Sequence, residues 1–510
     1  MELQLKQETF PYYEVLRQAP WTFEITQEAI VPDYCADVER IVDVFGCSLL
    51  HSKELLPDGR LELCGVMKTT VLFLSEGEQT VRALHLSLPI HSYYDCKASE
   101  EEQNIAIAVR VKRLDARLLN PRKLLVRGEN LVEAIVFSQK QLSFCGAAEE
   151  KEGLQALYDT TEVSLITSVL EREFSYTDEL TLSAARPAME EILATHTELT
   201  DSECRVMGNR LVLKGIAKAD VLYKDENGAL ATLQQEFLFS QVVPYDGAED
   251  ACSVRCRFDL TGFEYTMGKD SGGDEQRTVT MTLHNRSMIE VIETKRLTYL
   301  TDLYSICAAV NLERQSLPLQ ETGSVGTKKQ ALRELISTGK AVKDVIWSNV
   351  ACIGWCCQSG EHGSLLEGQL RLRCLYLDEN SAICAGENTV TIKAETELSS
   401  RECMGISVRP VGEIVSSPAA DGVELRFSLV FLIEQGSVQT KTTVCRAEVV
   451  EEETLEPMPS LVLRKFSQGL KLWDIAKTYR TTTAAILSAN DLESENDIPE
   501  DCLLLIPRYK

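Results

Sequence analysis

Cys352, Cys356 and Cys357 crowd into the run CIGWCC, the densest set of potential nucleophiles and metal ligands in the chain. Three thiols so close invite a zinc reading. A structural zinc site needs paired Cys-x-x-Cys or Cys/His ligands at defined spacing. That spacing is absent, and the six histidines stand apart from the cysteines in sequence, so no metal site and no cofactor is expected. GSVGTKK (323–329) has the glycines and lysine of a phosphate loop but lacks the Gly-x4-Gly-Lys-Ser/Thr spacing. There is no His-Glu-x-x-His and no Gly-x-Ser-x-Gly run. Asp33, Asp37 and Arg40 are placed to form an ion pair that fixes the chain before a first helix, and Arg122-Lys123 reads as structural in the same way. No catalytic residue is expected, and the chain reads as a non-enzyme. Binding chemistry concentrates instead in FSQGLKLWDIA (466–476), where a glycine turn carries Leu470, Lys471 and an indole.

The elements that position these residues follow from composition and pattern. The chain has 510 residues, too many for one ordinary core, with 44% hydrophobic and 25% charged residues, as in globular proteins. A net charge of −26 repels nucleic acid and anionic lipid and attracts basic partner surfaces. The N-terminal residues MELQLKQETFPYYEVLRQ lack the apolar run of a signal peptide, and no window approaches a membrane span. The 17 cysteines are odd in number and scattered, which reads as reduced thiols in a cytosol.

Internal repetition organises most of the chain. LELCGVMKTTVLFL (61–74), LVLKGIAKADVLYK (211–224) and SLLEGQLRLRCLYLDENS (364–381) share one pattern around Gly65, Gly215 and Gly368, which are 150 and 153 residues apart. An acidic-apolar stretch precedes each glycine, and strand-like runs follow. Alternation such as VTIKAETEL, with turns at PDG, ENG and DEN, argues for half-buried antiparallel strands. The expected fold is mainly β: three tandem β-sandwich-like repeats at 1–150, 151–302 and 303–450. An acidic, proline-containing linker (451–460) then leads to a module at 461–510.

That module reads as β-α-α-β. LVLRKF and CLLLIPR are strands. LKLWDIAKTY is a helix with Leu472, Ile475, Ala476 and Tyr479 on one face, and TTAAILSAN is a second helix capped by Thr482 or Thr483 and ending near Asn490. Its pattern resembles the LysM module through Gly469, Leu472, Trp473, Ile475, Ala476, Tyr479, Ile486, Leu487, Asn490 and Leu504, Ile506, Pro507. The resemblance implies a groove between the loop before the first helix and the loop after the second, which in the family binds N-acetylglucosamine polymers. This chain has Leu470-Lys471 where the family has Asp-Thr, so the oxygens that would meet a sugar are gone. The opposite loop carries Asp491, Glu493, Glu495, Asp497, Glu500 and Asp501, a negative rim suited to a basic protein surface. The partner-binding set is therefore Gly469, Leu470, Lys471, Trp473, Asn490, Asp491 and Leu492, with Trp473 also packing beside the apolar stripe.

The first repeat resembles the SPOCS family through Val31-Pro32-Asp33-Tyr34, Asp37, Arg40-Ile41 and Asn120, Arg122-Lys123. Repeats two and three keep the glycine pattern but lose much of these motifs. Three such domains followed by a LysM module are similar to spore coat morphogenetic proteins. The resemblance implies a non-enzymatic assembly protein in the mother-cell cytoplasm, at the forespore surface. It would dock through its LysM module on a SpoIVA-like coat ATPase and promote coat encasement. The alternative is a peptidoglycan-binding protein anchored to cortex or cell wall.

Overall fold

The computed structural model describes residues 2–77, 80–96, 103–247, 252–269, 275–360, 363–397, 403–450, 461–467, 469–499 and 502–507. The 451–460 stretch expected as a linker lies outside the described residues, as do Glu500 and Asp501 of the acidic rim.

Alternating patterns give 80% strand and 4% helix among the described residues. The chain opens with β1 (Leu5–Arg17), β2 (Trp21–Ile30), β3 (Val38–Leu55), β4 (Arg60–Ser75), β5 (Val81–Asp95), β6 (Gln103–Asn120) and β7 (Lys123–Ala148). It continues through β8 (Leu154–Thr181), β9 (Met189–Met207), β10 (Arg210–Asp225), β11 (Leu230–Pro244), β12 (Ser253–Lys269) and β13 (Gln276–Ser305). Then come β14 (Ala309–Ser337), β15 (Val342–Gly360), β16 (Gly363–Asp378), β17 (Ile383–Thr396), β18 (Cys403–Ala419) and β19 (Gly422–Val450). Last are β20 (Leu461–Lys465), α1 (Leu472–Tyr479), α2 (Thr483–Ala489) and β21 (Leu503–Pro507).

β3-β4-β5, β9-β10-β11 and β15-β16-β17 are antiparallel three-stranded meanders. The expected turns connect them: Gly59 and Gly228 take φ of 80° and 81° in PDG and ENG, and Ser381 follows DEN at φ 60°. Asp225 and Asp378 each accept two backbone N–H groups across their turns. Long strands pair beneath the meanders, β8 with β13 and β14 with β19. Their counterpart before β7 is split into β1 and β2 at Gln18-Ala19-Pro20, where proline has no N–H to donate.

Gly65 is needed because of close approach. A Cβ there would sit 2.1 Å from the Leu49 carbonyl oxygen, beside the bulge at Leu50/Ser52. Gly215 and Gly368 stand beside bulges in their own meanders and face Phe239 and Trp355 at 2.2 and 2.3 Å. The repeating glycine marks where a strand crosses a bulge too closely for a side chain. Gly65→Ala therefore displaces backbone as well as side chains, and a cost of roughly 1–3 kcal/mol is expected in urea unfolding. Unchanged stability would show that β3 yields freely.

The meanders converge on one core. Leu72, Leu222 and Leu375 are spaced like the glycines, are 0–2% exposed, and lie in one cluster with Phe45, Leu193 and Trp347. A second cluster joins Phe144, Leu165, Tyr299 and Leu319 from the long strands. Polar groups cross the same seams. Arg17, Arg255 and Arg257 converge on Glu434, with Arg257 Nη2 to Glu434 Oε1 at 2.6 Å, and Arg257 also holds buried Glu290. These arginines come from β1 and β12, while Glu434 stands on β19.

Two expectations change here. Asp33 and Asp37 pair with Arg122, not Arg40, and the segment continues into strand β3, not a helix. The Arg122 guanidinium fills the turn, donating to the carbonyls of Cys35 (2.6 Å) and Pro32 (3.1 Å), whereas Arg40 reaches the Ile383 carbonyl at 2.8 Å. Arg277 grips the corresponding turn of the next unit through the carbonyls of Ser183 and Arg186. GSVGTKK, which lacks the phosphate-loop spacing, lies inside β14.

Candidate functional site

The C-terminal strands β20 and β21 pair antiparallel from Leu461↔Pro507 to Lys465↔Leu503. The apolar face of α1 buries Leu472, Ile475 and Ala476 against Ile486, Ile498, Leu504 and Ile506. Thr482 caps α2 by accepting from Ala485 N at 3.0 Å, and Arg480, in the left-handed region at φ 54°, ends α1. A core this small is marginal alone. A residue from elsewhere completes it: Tyr304 on β13, 5% exposed, donates to the Thr481 carbonyl at 2.8 Å and meets Trp473 edge-on at 4.8 Å.

Asp302, also on β13, anchors the contact. Trp473 Nε1 donates to its carboxylate at 2.8 Å, Lys477 Nζ to both oxygens at 2.7 Å, and Arg314 Nη2 at 2.8 Å. Burial acts to raise the Asp302 pKa, but Lys477 and Trp473 outweigh it and hold the carboxyl below its ordinary value. Charge-assisted bonds of this kind are the stronger sort.

The structure separates the expected groove residues into groups. Gly469, at φ 89°, and Lys471 are exposed, with Leu470 half-buried between them. Trp473 turns to Asp302 and Tyr304, on the side facing β13. Asn490 spends its side chain within the fold: its amide donates to the carbonyls of Ile486 and Leu505 at 2.7 Å, and its oxygen accepts Leu505 N at 2.8 Å. Asp491 is exposed at φ 54°, and Leu492 packs on the module core. Glu495 bridges the two loops, accepting Leu472 N at 2.6 Å at the start of α1. That donor is spoken for, and Glu495 is a cap as well as part of the acidic rim.

Sequence reasoning missed Asp302 and Tyr304, polar residues in an apolar strand whose partners lie 171 and 177 residues away. It also missed the outer face of β20–β21, where Leu461, Leu463 and Leu503 are 55%, 64% and 66% exposed. Cys352, Cys356 and Cys357 sit on β15. Cys356 is exposed, and burial pushes the Cys352 thiol up to about 12, far from thiolate chemistry.

Among known protein families, residues 188–268 match the model described as SipL, SPOCS domain, which spans β9 to β12. No curated protein and no solved structure matches the chain. Among the described residues no helix is long and apolar enough to cross a membrane.

Proposed function

From the SipL, SPOCS domain carried at residues 188–268, we propose that this chain is a non-enzymatic assembly protein of the spore coat. The three meander-and-long-strand units are three SPOCS-type domains. The βααβ module is a LysM fold that recruits protein, specifically a SpoIVA-like coat ATPase, in the mother-cell cytoplasm at the forespore surface.

The observation that carries this reading is the open loop at 469–471. It offers Leu470 and exposed Lys471 where a sugar-binding turn would offer oxygens, and Glu495 already occupies the amide at the start of α1. The exposed leucines of β20–β21 add an apolar face on the same module.

Co-purification from sporulating cells tests the reading. The full chain should retain the coat ATPase, and a chain truncated after Glu451 should lose it. Lys471→Glu should weaken retention about tenfold or more, since a few central residues dominate an interface, while the circular dichroism spectrum stays unchanged. Equal recruitment by Lys471→Glu would remove the loop from the interface. Retention of the full chain on purified peptidoglycan, lost on truncation after Glu451, would instead establish a glycan binder.

A further inference from the structure

We propose that Glu62, Cys64 and His91 form a zinc site on the β4–β5 hairpin. The hairpin register makes the set: Cys64 stands directly opposite His91, and Glu62 opposite Tyr93, so all four side chains share one face of the sheet. Leu63, between the two β4 ligands, is fully buried on the other face and fixes which way they point. The carboxylate, thiol and imidazole ligand atoms all lie within 4.8 Å of one another.

Thiolate, imidazole and carboxylate are the donor types of zinc, whereas magnesium and calcium take oxygen. Donors about 2.0–2.3 Å from a tetrahedral ion stand about 3.3–3.8 Å apart. Glu62 Oε1 and His91 Nε2 are now 2.8 Å apart, so they open slightly while Cys64 closes. The Tyr93 hydroxyl donates to Glu62 at 2.7 Å and also lies 2.9 Å from His91 Nε2, so metal binding would keep its bond to the carboxylate and release the imidazole. Arg60 pairs with Asp58 at 2.7 Å, and its guanidinium also lies 5.2 Å from the Tyr93 ring centroid, so one cation borders the site. His91 is 58% exposed, which leaves an entry path and an open fourth position for water. The third meander provides an internal contrast, because Glu367 and Lys393 pair as ions at the matching positions.

The test is titration of the purified full-length protein with Co2+ and Zn2+. One equivalent of Co2+ should give a thiolate-to-cobalt charge-transfer band that Cys64→Ser removes. His91→Ala should weaken Zn2+ binding at least tenfold. Circular dichroism confirms the fold of each variant, and Glu62→Gln, which keeps side-chain volume, stands in for any that fails it. Cobalt binding without the thiolate band, or with the band unchanged in Cys64→Ser, overturns the site. So does equal Zn2+ affinity in wild type and both His91→Ala and Glu62→Gln.

Discussion

Glu434→Gln should lower stability by about 3 kcal/mol and split a single unfolding transition into separate ones. Its carboxylate, with 17% side-chain exposure, neutralises arginines from two neighbouring units. Removing one partner of a buried ion cluster leaves charge uncompensated, at a cost of roughly 3–5 kcal/mol. Glutamine keeps the shape and some hydrogen bonding, which places the expectation at the lower end. Burial acts to raise the Glu434 pKa, but Arg257, Arg17 and Arg255 outweigh it and hold it at about 2, against an ordinary 4.5. A carboxyl whose pKa is depressed by folding stabilises above its unfolded value and loses that contribution as pH falls through the folded one. The gap between wild type and Glu434→Gln should therefore be full above pH 4.5 and close as pH falls toward 2. Urea unfolding across that range measures it. A gap independent of pH would assign the loss to packing rather than charge.

Leu222→Ala should cost about 2–5 kcal/mol, the range for a buried leucine replaced by alanine in a site that cannot collapse. The decisive measurement is the pair with Leu72→Ala. Both residues belong to the cluster where the three meanders meet, so their effects should fail to add by about 0.5–3 kcal/mol. Units that fold as independent beads would give additive losses in denaturant unfolding, and the shared core would then contribute nothing to cooperativity.

The β alternation, the turns and the module's helix faces were legible in the sequence because each depends on neighbours a few residues away. Gly65 was visible as a period, but its cause was not. The Leu49 oxygen that a side chain would strike belongs to another strand and is presented by a bulge. Arg122 was recognised as structural, yet its aspartate partners were assigned to Arg40, which lies much nearer in sequence. Cys64, inside an apolar run, reads as a small buried hydrophobe, because spacing along the chain does not show His91 on the opposite rung of the hairpin. In the candidate site, the loop at 469–471 could be read locally. The use of Trp473, Asn490 and Glu495 could not, since each is decided by a distant hydrogen-bond partner.

The grip of Asp302 on Trp473 and Lys477 makes the C-terminal module a bracket rather than a float on a string. A molecule caught on the open loop would meet the three-unit body at one distance and one angle. Any second contact would then be made at the high local concentration of a rigid mount, with no search through the orientations that a loose tether allows. Loosening that bracket would leave the first grip intact and lengthen the search for the second.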